Sequence, residues 1–495
     1  MNHVTPLIIG FEGQSLDHSL AKHLLNIKPA GIVLFRRNIA TLNQVGKLIR
    51  AIRGLLGELI VSIDFEGGLV SRFPPDTPVP PSAHALNLLH DFDLVAESCR
   101  IQAELLASLE INLNFAPVLD IYRSSGSEAI GTRAFSSDPE KTAKFGELSI
   151  AEFARLGIGT SAKHFPGQGR TDIDTHIDKG EVPFRLHELE RTDLYPFRKA
   201  IAAGAPSIMV SHLKYTALDD VYPASMSSKI VEGLLRNTMG YKELIITDCV
   251  EMASLNANYT PEEIVASGLQ AGIDLWISSY SLNKSYAFQA RVKRAFEQAI
   301  RSDRGMAAKA NQSQIRIRRF IEEHPVKSTL FHQKERFTRM KSIHRASLQK
   351  IRQSPLPENF EGLMLIELSD QKFSGIGAEE KRNVVSEVLY NRDGLIAERS
   401  IVSKSDLNAL RHAFAQAGKR RLIPTVLTAN AFRYNTYREL TEILKSLEYY
   451  IHIALLDRKD LLGIAANEWV TWGFNELTGH VLADELSALR TLRSK

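Results

Sequence analysis

Through its first 280 residues the chain alternates short apolar runs with longer amphipathic ones, and this alternation narrows the fold more than any other feature. The apolar runs are Leu7–Phe11, Gly31–Phe35, Leu59–Asp64, Ile111–Phe115, Ile158–Lys163, Ser207–His212, Leu244–Asp248 and Asp274–Ile277. Between them lie segments such as Leu94–Leu109 and Lys141–Leu156, whose apolar residues recur at three- and four-residue spacings, the period of a helix with one buried face. Eight strand-then-helix units at this length match a (β/α)8 TIM-type barrel. A doubly wound sheet would produce the same alternation, so the polar residues decide. Asp64, Lys163, His164, His212 and Asp248 each close an apolar strand, and in a barrel such C-terminal ends converge on one face.

Beyond residue 280 the pattern changes. Residues 285–325 and 328–353 read as helices rich in basic side chains, and SPLPENFEG (354–362) carries the Pro/Gly punctuation of a boundary. A second α/β set follows, with strands expected near Leu363–Leu368, Leu395–Val402, Leu422–Thr428, Tyr450–Leu456 and Trp469–Trp472. The expected organisation is a catalytic barrel over 1–325, a basic helical linker over 326–357, and a smaller open-sheet α/β domain over 358–495. Residues 301–352 hold 14 Lys/Arg against 4 Asp/Glu, which reads as a solvated helical connector rather than a polyanion site. Over the whole chain 61 basic residues face 57 acidic ones, a net charge of +4, too even a balance for a nucleic-acid partner.

Two cysteines, Cys99 and Cys249, in 495 residues exclude a disulfide framework and favour a reducing compartment. The opening MNHVTPLIIGFEGQS has no basic n-region and too short an apolar stretch for a signal peptide. No run approaches the ~20 apolar residues of a membrane span. A soluble cytoplasmic protein without a membrane partner is expected; its oligomeric state is not legible.

The densest polar cluster is AKHFPGQGRTDIDTH, residues 162–176, a loop following a strand. Its Asp172, Asp174 and His176 alternate at two-residue spacing. Such a run can ligate a metal, and the glycines beside Lys163 and Arg170 can cradle an anion. A carboxylate two residues from a histidine can also orient the imidazole as a proton shuttle near neutral pH. The segment could equally be a plain structured loop, and spacing alone separates none of these. IITDCVEM (245–252) ends a β-branched run in Asp248, either a helix cap or a catalytic carboxylate on the barrel's working face. IDFEGG (63–68) repeats the design with Asp64, and Glu66-Gly67-Gly68 permits close backbone approach to a ligand. IGTRAFSSDP (130–139) adds Arg133, for which a surface ion pair is the commoner fate. A carboxylate nucleophile and a separate proton shuttle are the two chemistries of a two-step glycosyl transfer.

The segments IDFEGGLVSRF, LNFAPVLDI, IGTRAFSSDP, KHFPGQGRTDIDTH, MVSHLKY, PASMSS and ITDCVEM resemble, in order and spacing, the motifs of glycoside hydrolase family 3, in its β-N-acetylglucosaminidase (NagZ-type) branch. The resemblance spans residues 5 to about 280, and Asp174-x-His176 marks the branch. It implies a retaining exo-β-N-acetylglucosaminidase that uses no metal and no cofactor. In it Asp248 matches the nucleophile, His176 the acid/base and Asp174 its partner. Asp64, Arg133, Lys163, His164 and Arg72 match groups that bind the terminal sugar, and His212 falls in a motif with a packing or supporting role. The implied partner is a small GlcNAc-containing carbohydrate, and the implied substrate a cell-wall muropeptide fragment of peptidoglycan recycling. The chain departs from the family at Gln168, at Phe65 and Leu69 in DFEGGLV, at Thr175, and at Cys249 after the nucleophile. The rival readings are a phosphorylase on the same site, a catalytically silent sugar-binding protein, and a metal-dependent hydrolase using Asp172, Asp174, His176 and His212.

Overall fold

The computed structural model describes residues 4–122, 130–169, 186–280, 286–325, 329–353, 360–368, 384–392, 395–403, 406–428, 437–447, 449–455, 465, 467–471 and 475–491. The chain divides into two compact units. The first comprises residues 1–66, 70–74 and 91–332; the second comprises 67–69, 75–90 and 333–495.

In the first unit eight parallel strands close into a barrel: β1 Thr5–Ile9, β2 Pro29–Leu34, β3 Ile60–Ile63, β4 Leu113–Asn114, β5 Gly159–Phe165, β6 Ser207–Val210, β7 Leu244–Cys249 and β8 Leu275–Ser278. Closure is made where Leu7 of β1 lies in register with Trp276 of β8. All eight expected strands are present, with ends shifted by a few residues. The helices expected at 94–109 and 141–156 form over Phe92–Ser108 and Pro139–Ala154. Each starts on an aspartate, Asp91 or Asp138, whose side chain takes up backbone N–H groups of the first turn. The strand interior is apolar, with Ile8, Val33, Ile60, Leu113, Met209, Ile246 and Leu275 in one buried cluster. Full burial of each such side chain contributes about 1.5–3 kcal/mol.

Helix Arg304–Glu323 adds Ile317 and Phe320 to this cluster and hydrogen-bonds the strand beginnings, Gln314 to the Val4 carbonyl and Arg316 to the Lys242 carbonyl. It closes the N-terminal end of the barrel. Polar residues that end strands are therefore left at the opposite mouth, the face on which barrels of this kind carry their sites.

The second unit is built on a six-stranded sheet: β9 Gln349–Arg352, β10 Gly362–Leu368, β11 Ile396–Val402, β12 Leu422–Thr428, β13 Ile451–Ala454 and β14 Asn467–Val470, in the order β11-β10-β12-β13-β14-β9. Alternation along β10 serves two cores, Leu363 and Leu365 on one face, Met364, Ile366 and Leu368 on the other. Reading 328–353 as one helix is corrected here. The helix covers Gln333–Ser347, and 349–352 is a strand antiparallel to β14. Its basic side chains hide the strand pattern because it is an edge, where charge is the usual protection. Lys350 lies 5.7 Å from the Trp469 ring and pairs with Glu485, while Lys341 and Arg345 pair with Asp484. The last strand begins two residues before the expected Trp469, because Asn467 and Glu468 are buried despite their polarity. No helix among the described residues is long and apolar enough to cross a membrane.

Candidate active site

At the barrel mouth the end of β3 delivers Asp64 and Glu66, β5 delivers Lys163 and His164, and the short helical turn Gly131–Arg133 delivers Arg133. Lys163 Nζ donates to Asp64 Oδ1 at 2.9 Å and to Glu66 Oε1 at 2.5 Å. Arg133 grips Glu66 through both of its forks, Nε to Oε2 and an Nη to Oε1, each at 2.8 Å. Arg72 donates to Asp64 Oδ2 at 3.0 Å. His164 donates from Nδ1 to Asp120 Oδ2 at 2.7 Å, and its Nε2 lies 3.4 Å from an Arg133 Nη. Three carboxylates and three cations thus form one continuous network around the His164 imidazole.

Burial makes this network consequential. Lys163 is 2% exposed, and an unpaired ion at that depth would cost several kcal/mol. Burial pushes the Asp64 carboxyl up, but Lys163 and Arg72 together outweigh it and hold it well below the usual carboxylate range. For Glu66 burial also acts upward, and Arg133 and Lys163 overcome it, so that it titrates at about 2. Burial lowers Arg133 and the pull of Glu66 more than reverses that. The expectation of a surface ion pair for Arg133 is therefore corrected: the side chain is buried and held from two sides.

A consequence for stability follows with a definite sign. The folded value of Glu66, about 2, lies below its ordinary 4.5, so its stabilisation is complete above pH 4.5 and is lost as pH falls toward 2. A shift of that size corresponds to on the order of 3 kcal/mol. The thermal midpoint is expected to fall through that window, with Asp64 acting in the same direction. Glu66→Gln should be less stable at pH 7, because Lys163 and Arg133 then share one anion fewer, and should respond less to acid between pH 4.5 and 2. Calorimetry showing an identical acid slope for the two proteins would remove Glu66 from this role.

Asp248 ends β7 and accepts the backbone N–H of Cys249 at its Oδ1, 2.7 Å away. His212 lies just past β6. Its Nε2 donates to the Cys249 carbonyl at 3.1 Å and its Nδ1 accepts from the Ser225 hydroxyl at 2.8 Å, so it fastens the backbone beside Asp248. Burial pushes the Cys249 thiol up to about 12, leaving it a neutral filler rather than a second nucleophile. Asp172, Asp174 and His176 lie outside the described residues. Among the described residues no group of three or more His, Cys, Asp or Glu side chains is placed to hold a metal ion.

Sequence reasoning assigned no charge role to Glu66 or Asp120. One signal was available: Lys163, Arg133 and Arg72 need buried counterions, and Glu66 and Asp120 sit in motifs that end strands. Gly67 of DFEGG also has a structural reason to be glycine. A side chain at Gly67 would sit 2.6 Å from the Pro81 carbonyl oxygen, so the close approach there is of chain to chain. Two of the departures, Phe65 and Leu69, have packing causes. Phe65 is fully buried edge-on against Phe73, and Leu69 packs on the apolar core of the second unit around Leu363 and Trp469. Gln168 is buried, and its backbone N–H donates to Asp120 Oδ1 at 2.5 Å.

Residues 8–319 match the model of the glycosyl hydrolase family 3 N-terminal domain. A β-hexosaminidase of Xanthomonas euvesicatoria pv. vesicatoria is 35% identical over 276 residues, 54% of this chain and 82% of that protein. A glycoside hydrolase family 3 β-N-acetylglucosaminidase from Paenibacillus sp. str. FPU-7 has a similar structure, with a TM-score of 0.86 and 26% identity over 98% of this chain and 95% of its own. NagZ from Neisseria gonorrhoeae, solved with N-trifluoroacetyl-D-glucosamine, is similar at a TM-score of 0.57 and 25% identity, covering 69% of this chain and 99% of its own.

Proposed function

Since the chain belongs to glycosyl hydrolase family 3 and is a glycoside hydrolase, we propose that it releases terminal β-linked N-acetylglucosamine from the non-reducing end of its substrate with retention of configuration. Asp248 attacks the anomeric carbon while His176, oriented and charge-stabilised by Asp174, gives its proton to the departing glycosidic oxygen. His176, now basic, then takes a proton from the water that frees the sugar from Asp248. Asp64, Arg133, Lys163, His164 and Arg72 receive the sugar hydroxyls.

The observation that carries this reading is that Asp248 and the buried charge network both stand at the C-terminal ends of the barrel strands. The network's donors and acceptors have fixed directions and little freedom to reorganise, which suits binding of a polyhydroxylated ring. The same network argues for a donor outside it. Asp64 and Glu66 are held ionised by their cations, and both ring nitrogens of His164 are engaged, by Asp120 and by Arg133, so none of them is placed to give a proton to a leaving group. A histidine donor also avoids placing a second anion beside Asp248. The fitting substrate is a muropeptide fragment met in the cytoplasm, because a histidine is cationic before it gives its proton and neutral after, never an anion that would repel the carboxylates of such an aglycone. No metal or organic cofactor takes part in this route.

Purified protein is expected to cleave a chromogenic β-N-acetylglucosaminide at least about tenfold more efficiently than the matching β-glucoside, a difference of about 1.4 kcal/mol or more in the barrier. EDTA should leave the rate unchanged, and added phosphate should yield no sugar 1-phosphate. Equal or reversed efficiency on the two glycosides would end the substrate assignment.

A further inference from the structure

Glu251 lies three residues beyond Asp248, 3% exposed, and the chemistry above does not use it. Both of its oxygens are occupied by the segment that follows β8. Ser278 Oγ donates to Oε1 at 2.6 Å, Ser279 Oγ to Oε2 at 2.9 Å, and the Tyr280 backbone N–H to Oε1 at 3.3 Å. A carboxyl group at this depth is costly unless its oxygens are taken up by donors, as they are here. Tyr280 has φ +66°, an uncommon backbone conformation for a bulky residue, so its N–H is held where the chain alone would not favour it.

The same segment is anchored further along the mouth. An Arg37 Nη donates to the Ser279 carbonyl at 2.7 Å, and Arg37 Nε donates to the Phe11 carbonyl at 2.8 Å, joining the loops after β8, β1 and β2. On the Asp248 side the Val250 N–H donates to the Ile277 carbonyl at 2.9 Å, and His212 holds the Cys249 carbonyl. The turn carrying Asp248 is therefore fastened to β6 by His212 and to β8 by Glu251.

We infer that Glu251 is a positioning residue for the nucleophile: it locks the 248–252 turn to the loop after β8, so that the Asp248 carboxylate keeps its line of attack. This rests on the reading of Asp248 as nucleophile. Nothing in the reaction requires Glu251 to touch substrate, so its loss should act on turnover and not on sugar binding. Misplacement of a reacting group by about 1 Å can cost ~10²-fold. Glu251→Ala is expected to lower kcat roughly 10- to 100-fold with KM within about threefold. Glu251→Gln keeps the shape and an acceptor oxygen, while the serine hydroxyls can turn to accept from its amide, so it should stay within about threefold of wild type.

The test compares wild type, Glu251→Ala and Glu251→Gln on the β-glycoside that wild type cleaves. Amide exchange of residues 249–252 and 277–280 is followed in parallel. Exchange should rise in both segments of Glu251→Ala and not in Glu251→Gln. If Glu251→Ala does not fold, the Ser278→Ala/Ser279→Ala pair, which removes both hydroxyl donors, should reproduce the loss in kcat at unchanged KM. Glu251 has no positioning role if Glu251→Ala keeps its kcat, if its loss equals the unfolded fraction, if Glu251→Gln fails equally, or if exchange is unchanged. Preference for a β-glucoside would overturn the substrate assignment alone, and the exchange and kcat results would still decide Glu251. An active Asp248→Asn enzyme would overturn the nucleophile reading and, with it, the positioning role of Glu251.

Discussion

Asp248→Asn is expected to reduce kcat by several orders of magnitude while leaving the fold and sugar binding intact. The asparagine keeps the volume of the side chain and an oxygen able to accept the Cys249 N–H that Asp248 Oδ1 now accepts at 2.7 Å. What it loses is the anion proposed to form the covalent bond, and removal of such a nucleophile has no cheap substitute at the site. Binding of N-acetylglucosamine, measured by calorimetry, should be within a few-fold of wild type, because the charge network around Lys163, proposed above to receive the sugar hydroxyls, is untouched. A variant keeping more than about a tenth of wild-type kcat would exclude the role, since that corresponds to only about 1.4 kcal/mol of barrier.

The second large effect concerns the proton. His176→Ala should lose ~10²–10⁴-fold on a substrate with a poor leaving group, which departs only when protonated. With an activated aryl leaving group, glycosylation should suffer less, and hydrolysis of the glycosyl-enzyme, deprived of its base, should become the slow step. KM should then fall together with kcat as the intermediate accumulates, and mass spectrometry should find the adduct. Asp174→Asn should give a milder version, since the imidazole remains but is neither held nor charge-stabilised. An equal proportional loss on every leaving group, with no accumulated adduct, would reassign His176 to shaping the loop. The proton donor would then have to lie elsewhere.

The barrel was legible in the sequence because strand and helix periods are local. An apolar run such as Leu244–Asp248 declares itself without reference to anything distant, and a carboxylate at its end marks the mouth. The edge strand Gln349–Arg352 was not legible, because its identity comes from pairing with β14 while its composition is that of a basic helix. Asn467 and Glu468 misled for a related reason: polar residues buried in a ladder look like loop until their partners are known.

By itself, then, the sequence determined the alternation of elements, the strand ends at which Asp64, Lys163, His164 and Asp248 stand, and the family these motifs resemble. Which charges meet was decided by barrel closure. Glu66 and Arg133 are 67 residues apart and Asp120 and His164 are 44 apart, yet each pair sits within 3 Å. The tertiary structure also turned Leu69 into core, Gly67 into a chain-to-chain contact, and Glu251 into a clasp on the loop after β8. The physical reason is the same throughout. Hydrophobic periodicity belongs to a segment, whereas burying a charge is tolerable only beside its counterion or a set of donors, and where those stand is a property of the closed barrel.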